Sequence, residues 1–251
     1  TELEKFEKET IKLRNDVLAT NEHIVKCYDS IEAVVIKNME KEFNPSILKP
    51  IEPREWPKAD YNTPPGMYLN KDESGTGAAA FQYSFYNKQH KVMHMDWLFM
   101  HEAIPGHHYQ ACFRETIKQQ HPFQALFYYA GNAEGWAAYT EYLGKDLGLY
   151  KTPQSQYGHL QWDLVRSARI CIDIGIHYKG WSRDEALKFW KEHVKDADDI
   201  AEREVDRCTR WPAQAISYKA GAYWIMQAKE KYKGSAKEFH QKFLSYSYCP
   251  L

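Results

Sequence analysis

"MHMDWLFMHEAIPGHHYQ", residues 93–110, decides how this chain is read. It begins like the zinc-binding helix H-E-x-x-H, in which two histidines four apart share one face and the Glu between them serves as base. Here the residue four after His101 is Pro105, and histidines return only at His107 and His108. On a regular helix His107 would lie ~9 Å along the axis from His101 and His108 ~10.5 Å, too far for either to share one metal with it. Pro105 cannot donate to the His101 carbonyl and would clash with it, and Gly106 can take backbone angles closed to other residues. A two-residue bulge at Ile104-Pro105 therefore turns the segment into an equivalent of H-E-x-G-H, with His107 in the i+4 role and His108 as the alternative. Breaking a helix between apolar residues such as Trp97, Leu98 and Phe99 costs stability, which favours a metal site over a chance cluster of histidines.

The surrounding sequence sets the fold class. Hydrophobic residues make up 43% of the 251 residues and charged residues 27%, the range of globular domains. A net charge of −1 argues against a nucleic-acid partner. No apolar run approaches the ~18 residues of a membrane helix. The five cysteines form no C-x-x-C pair and are odd in number, so a disulfide framework is not expected. The opening "TELEKFEKET" is charged and has no signal-peptide core, and it reads as the start of a fragment or a processed chain.

Residues 1–43 form an N-terminal helical segment. Leu3, Phe6, Leu13 and Val17 keep a three-four rhythm, and a second amphipathic stretch follows Asn21, which together predict a helical hairpin. Six prolines between Pro45 and Pro65 then exclude helix, leaving room for one short strand. "GMYLN" and "AAFQYSFYN" are strand candidates on either side of the turn "DESGTGA". Beyond residue 93 almost everything reads as helix. Thr152-Pro153 is an N-cap and N1 pair, and Ser182 with Glu185 and Ser235 with Glu238 fit capping boxes. The expected fold is mainly α, a helical catalytic domain over 44–251 with a small β-sheet beside the motif helix.

A zinc site needs a third protein ligand. "GNAEGWAAYTEYLG" offers Glu134, 27 residues after His107, and Glu141. The two lie ~10 Å apart along a helix, so only one can ligate.

"HEAIPGHHYQ", "EGWAAYTEYLG", "RICIDIGIHYKGWS" and "PAQAISYKAG" resemble the signature blocks of the bacterial family known as domain of unknown function 885. The upstream "DYNTPPGMYLN" resembles that family's extended segment. The resemblance covers about residues 44–248, and its members are commonly longer, with further helices before this region. In motif logic the family is similar to helical gluzincin peptidases. That likeness implies one Zn2+ per chain held by His101, His107 and Glu134, with Glu102 as general base; the insertion leaves His108 as the rival to His107. Tyr218 matches the position of an oxyanion-stabilising tyrosine, and His177 is a second donor, oriented by Asp173 four residues earlier. Arg166, Arg169, Arg207 and Arg210 fall around these blocks and are candidates to hold a substrate carboxylate. The implied activity is hydrolysis of a peptide or small amide, with the edge of one predicted strand holding the substrate backbone. A hydrolase of non-peptide amides or esters and a structural-zinc module are the alternatives. The family resemblance places the protein in bacteria, as a periplasmic, secreted or lipoprotein species. Oligomeric state is not legible.

Overall fold

A computed structural model describes residue 9 and residues 15–117, 128–247 and 249–250. The first arm of the predicted hairpin falls largely outside the described residues. Val17, read as part of its helical rhythm, instead starts β1 (Val17–Leu18), which pairs antiparallel with residues 90–91. The second arm is helical, α1 (Asn21–Asn38), capped by the Thr20 side chain. It buries Ile24, Tyr28 and Val35 in the same core as the rest of the chain.

The proline-rich stretch contains the one strand for which the sequence left room, β2 (Ile51–Glu55). It is followed by β3 (Gly66–Leu69), a capped turn of helix α2 (Lys71–Ser74) inside the predicted loop, and β4 (Ala79–Tyr83). The sheet order is β2-β4-β3, with β2 parallel and β3 antiparallel to β4. Pro53 is tolerated because β2 is an edge, where a missing N–H leaves no ladder bond unmade. All five residues of β4 are buried, and Phe81 meets Tyr28 edge-on at 4.7 Å between ring centroids. The other outer strand, β3, borders the cavity described below. The short β5 (His90–Lys91) completes the pairing with β1.

Among the described residues eight α-helices follow: α3 (Met95–Glu102), α4 (His107–Thr116), α5 (Ala130–Glu141), α6 (Pro153–His177), α7 (Arg183–His193), α8 (Ala201–Arg210), α9 (Ile216–Lys231) and α10 (Ala236–Ser245). The predicted caps form. Thr152 caps α6 with Pro153 in its first turn, and capping boxes start α7 at Ser182 and α10 at Ser235. The protein is thus mainly α with a small sheet, as read from the sequence. No helix among the described residues is long and apolar enough to cross a membrane.

Helices α5 and α9 touch backbone to backbone. A methyl group on Gly135 would stand 2.6 Å from Gly221 Cα, and one on Gly221 would stand 2.3 Å from the Gly131 carbonyl oxygen. Only the absence of a side chain on both helices allows that approach.

Candidate metal centre

The motif segment is two helices with a tight corner between them, where the sequence predicted one helix with a bulge. Helix α3 stops at Glu102, the Ile104-Pro105 peptide is cis, and α4 starts at His107. The change of direction brings His107 back over His101, which a two-residue bulge in a continuous rod was expected to do. Gly106 makes the corner possible. A Cβ there would lie 1.8 Å from the His101 carbonyl oxygen and 2.4 Å from that of Met100. Helix α5 braces the corner: Trp136 Nε1 donates to the Pro105 carbonyl at 2.9 Å, and Thr140 Oγ1 donates to the Met100 carbonyl at 3.0 Å. Carbonyls at the end of α3 that lack helical partners are satisfied in this way.

Three donor groups converge at this corner. Glu134 Oε2 lies 3.5 Å from His101 Nε2 and 3.3 Å from His107 Nε2, and the three ligand atoms all fall within 4.8 Å of one another. Ligands ~2.1 Å from a tetrahedral zinc stand ~3.4 Å apart, so this donor set fits the ion in both chemistry and spacing. His108 does not join it. Its Nε2 donates to the Lys49 carbonyl at 2.8 Å, and its Nδ1 faces Tyr68 Oη at 3.4 Å. The choice between the two histidines therefore falls on His107.

Glu141 also takes a role the sequence left open. Its Oε1 accepts from His101 Nδ1 at 2.7 Å and its Oε2 accepts from Arg166 Nη1 at 2.6 Å. A carboxylate on the far nitrogen fixes the imidazole tautomer and aims Nε2 into the cluster, the usual support of a metal-binding histidine. Arg166 lies 5.3 Å from the Trp97 ring centroid, which holds it in place. Burial works against charge on His101, but Glu134 and Glu141 outweigh it and raise its pKa to about 9. Burial likewise opposes charge on Glu134, yet His101 and His107 hold its carboxyl well below the ordinary carboxylate range. A cation entering the cluster exchanges with the imidazole proton, so its affinity increases with pH.

Glu102, next to His101 in sequence, is buried and lines the cavity, where its Oε2 accepts from the Tyr68 backbone N–H at 2.8 Å. That N–H belongs to β3 and points away from β4, so the sheet edge orients the carboxylate. Tyr218 on α9 stacks against the His101 ring with centroids 5.9 Å apart. Its oxygen accepts from Arg207 Nη2 at 2.8 Å and from Gln214 Nε2 at 3.2 Å. Two bonds accepted leave the hydroxyl hydrogen to be donated.

His177 is not brought to this site. It is exposed at the last turn of α6, where Nε2 donates to the Cys208 carbonyl at 2.9 Å. The carboxylate of Asp173, expected to orient it, accepts the Ala213 N–H at 3.0 Å. Their spacing of four residues places both on one side of α6, but they lie beyond Arg169, the last residue of α6 that lines the cavity.

The cavity is about 790 Å³ and runs from β3 across His101, Glu102, His107 and Glu134 to a wall of arginines. Arg166, Arg169, Arg207 and Arg210, singled out in the sequence, all line it. So do Arg203 and Glu204, which were missed. The signal was present: Arg203, Arg207 and Arg210 repeat at helical spacing on α8.

The chain thus brings two histidines and a glutamate from three successive described helices together beside a small sheet. Over residues 3–251 it matches, and it belongs to, the bacterial proteins of unknown function known as DUF885. Among solved structures it is similar to a "putative lipoprotein" of Colwellia psychrerythraea, at 25% identity and a TM-score of 0.85 over 97% of this chain. A second, of unknown function, comes from Shewanella oneidensis and shares the fold at 23% identity and a TM-score of 0.67 over 90% of this chain. The chain spans 44% of the length of each of these proteins. No curated protein matches it.

Proposed function

We propose that the chain is a zinc-dependent hydrolase that cleaves peptide bonds. The observation that carries this reading is the convergence of His101, His107 and Glu134, with a base-competent carboxylate, Glu102, on the residue after the first of them. Zinc held there supplies Lewis acidity, polarising a substrate carbonyl and making water acidic near neutral pH.

The chain's own groups divide the remaining work. Glu102, held by the Tyr68 N–H through one oxygen, keeps the other to take a proton from the attacking water and return it to the departing amine. Tyr218 donates its hydroxyl hydrogen to the carbonyl oxygen as negative charge develops there. Because β4 is the central strand, β3 is the one of the two predicted strands with an outer edge on the cavity, and substrate backbone would pair along it beside the Tyr68–Glu102 bond. The description of the Colwellia protein as a lipoprotein supports a location outside the bacterial cytoplasm.

Metal analysis of the purified full chain tests the site directly. One zinc per chain is expected, with His101, His107 and Glu134 on the ion in an anomalous map. Protein that takes up no metal at micromolar zinc would remove the basis of the reading.

The role of Tyr218 has its own test. Tyr218→Phe should lower kcat ~10²-fold with little change in KM, because the missing hydrogen bond forms mainly in the transition state. The ring and its stack on His101 remain, so the melting temperature should not move. Normal kcat in the Phe variant would take Tyr218 out of the mechanism.

A further inference from the structure

Arg169 on α6 and Arg203 and Arg207 on α8 line the cavity together, and the wall they form carries more positive charge than it pairs. Glu204 is the carboxylate among them. It accepts from Arg169 Nε at 2.7 Å and forms an ion pair with Arg203 at 3.2 Å. Arg207 pairs with no carboxylate among the described residues. Its Nη2 donates to the neutral Gln214 and Tyr218, and its Nε is buried without a partner. The neighbouring guanidinium also bears on Arg169, whose pKa is lowered first by burial, with Arg207 adding to the effect and Glu204 opposing it. Glu204 and Glu134 act on Arg207 only from beyond contact distance, and a half-buried guanidinium that faces a cavity without a direct carboxylate partner is costly unless an anion completes it.

Its position says which anion. The Arg207 guanidinium lies 5.4 Å from the Tyr218 ring centroid, and that ring lies 5.9 Å from the His101 ring. An extended residue spans ~3.5 Å, so a group held by Arg207 is about one or two residues from a bond cleaved at the cluster. We propose that Arg207 receives a carboxylate of the leaving segment, so that the substrates are short peptides with a negative charge one or two residues beyond the cleaved bond. The carboxylate is the free C-terminus or an acidic side chain. This inference rests on the peptidase reading for its substrate class, while the anion subsite itself rests on the arginine wall.

Three blocked peptides separate these possibilities: N-acetyl-Phe-Ala with a free C-terminus, its C-terminal amide, and N-acetyl-Phe-Asp amide. The zinc-loaded full chain should cleave the free acid with kcat/KM ~10²-fold above that of the Ala amide, as expected for loss of a charge-assisted pair. High activity on the Asp amide alone assigns the carboxylate to a side chain, with the subsite intact. Arg207→Gln should erase the preference, lowering kcat/KM for the free acid ~10²-fold further than for the Ala amide and mainly through KM; Arg207→Lys should recover part of it. Equal rates on all three peptides overturn the proposal. So does an equal loss on all three in Arg207→Gln, which would mean that Arg207 only positions Tyr218. If no peptide is cleaved, the peptidase reading fails, and calorimetry decides the subsite separately. 3-Phenylpropionate should then bind the full chain more tightly than 3-phenylpropionamide, and binding should weaken ~10-fold or more in Arg207→Gln. No preference for the acid, or undiminished binding in the variant, overturns the subsite as well.

Discussion

Glu102→Gln is expected to lower turnover by ~10³-fold or more while one zinc per chain stays bound. The amide retains the size of the carboxylate but cannot take a proton from water, and positioned general bases contribute ~10² to 10⁴-fold. It is not among the three groups that converge on the cluster, so the metal should not leave with it. Glu134→Gln should behave in the opposite way. Its carboxylate is the shared neighbour of His101 and His107, and its neutralisation should weaken zinc by ~100-fold or more, beyond the ~10 to 100-fold typical of supporting residues. Metal content and rate measured together on both variants check the assignment. Equal metal loss in the two would exchange or merge their roles.

Gly106→Ala should be the most destabilising single methyl that can be added near the site. The new carbon would sit 1.8 Å from the His101 carbonyl oxygen, where contact distances are nearer ~3.3 Å, and backbone rather than a movable side chain is in the way. Relief requires the end of α3 to shift, and His101 with it. The cost should be about 4 kcal/mol or more, with a fall in Tm of roughly 10 °C and weakened zinc retention. A calorimetric melt and a metal assay read both effects. An Ala variant that melts like the wild type and keeps its zinc would mean that the corner is not shaped as described.

Much of this site was legible because its information is local. The run from His101 to His108 carries its own evidence: a histidine that arrives late, and a Pro-Gly pair that can reroute the chain to bring it back. Glu134 was legible for a related reason, since a helix returning to the site needs only a plausible interval. The cap at Thr152 was read from the adjacent Pro153 and those at Ser182 and Ser235 from residues three apart, and all three formed. What failed depends on partners distant in sequence. His177 and Asp173 have suitable helical spacing, but their hydrogen bonds go to Cys208 and Ala213. Nor does spacing reveal that Glu141 contacts His101 Nδ1, because two turns beyond Glu134 is the right distance for reaching the other side of the ring. Val17 was misread because the last residue of a helical rhythm is compatible with a strand once a partner such as Lys91 is available.

The contact between Gly135 and Gly221 determines which parts of the cleft can give way. Helix α5 brings Glu134 and α9 brings Tyr218, and with their backbones in contact neither can slide or roll without carrying the other. Glu134 and Tyr218, the proposed metal ligand and oxyanion donor, therefore share one anvil, with their mutual aim preserved. Adjustment to substrates of different bulk then falls on the opposite jaw, where β3 holds Glu102 through a single N–H. An edge strand flexes at less cost than two helices locked together. Glu102 itself stays on α3 with His101, so a shift of β3 would leave the carboxylate in place and change only the hydrogen bond that aims it.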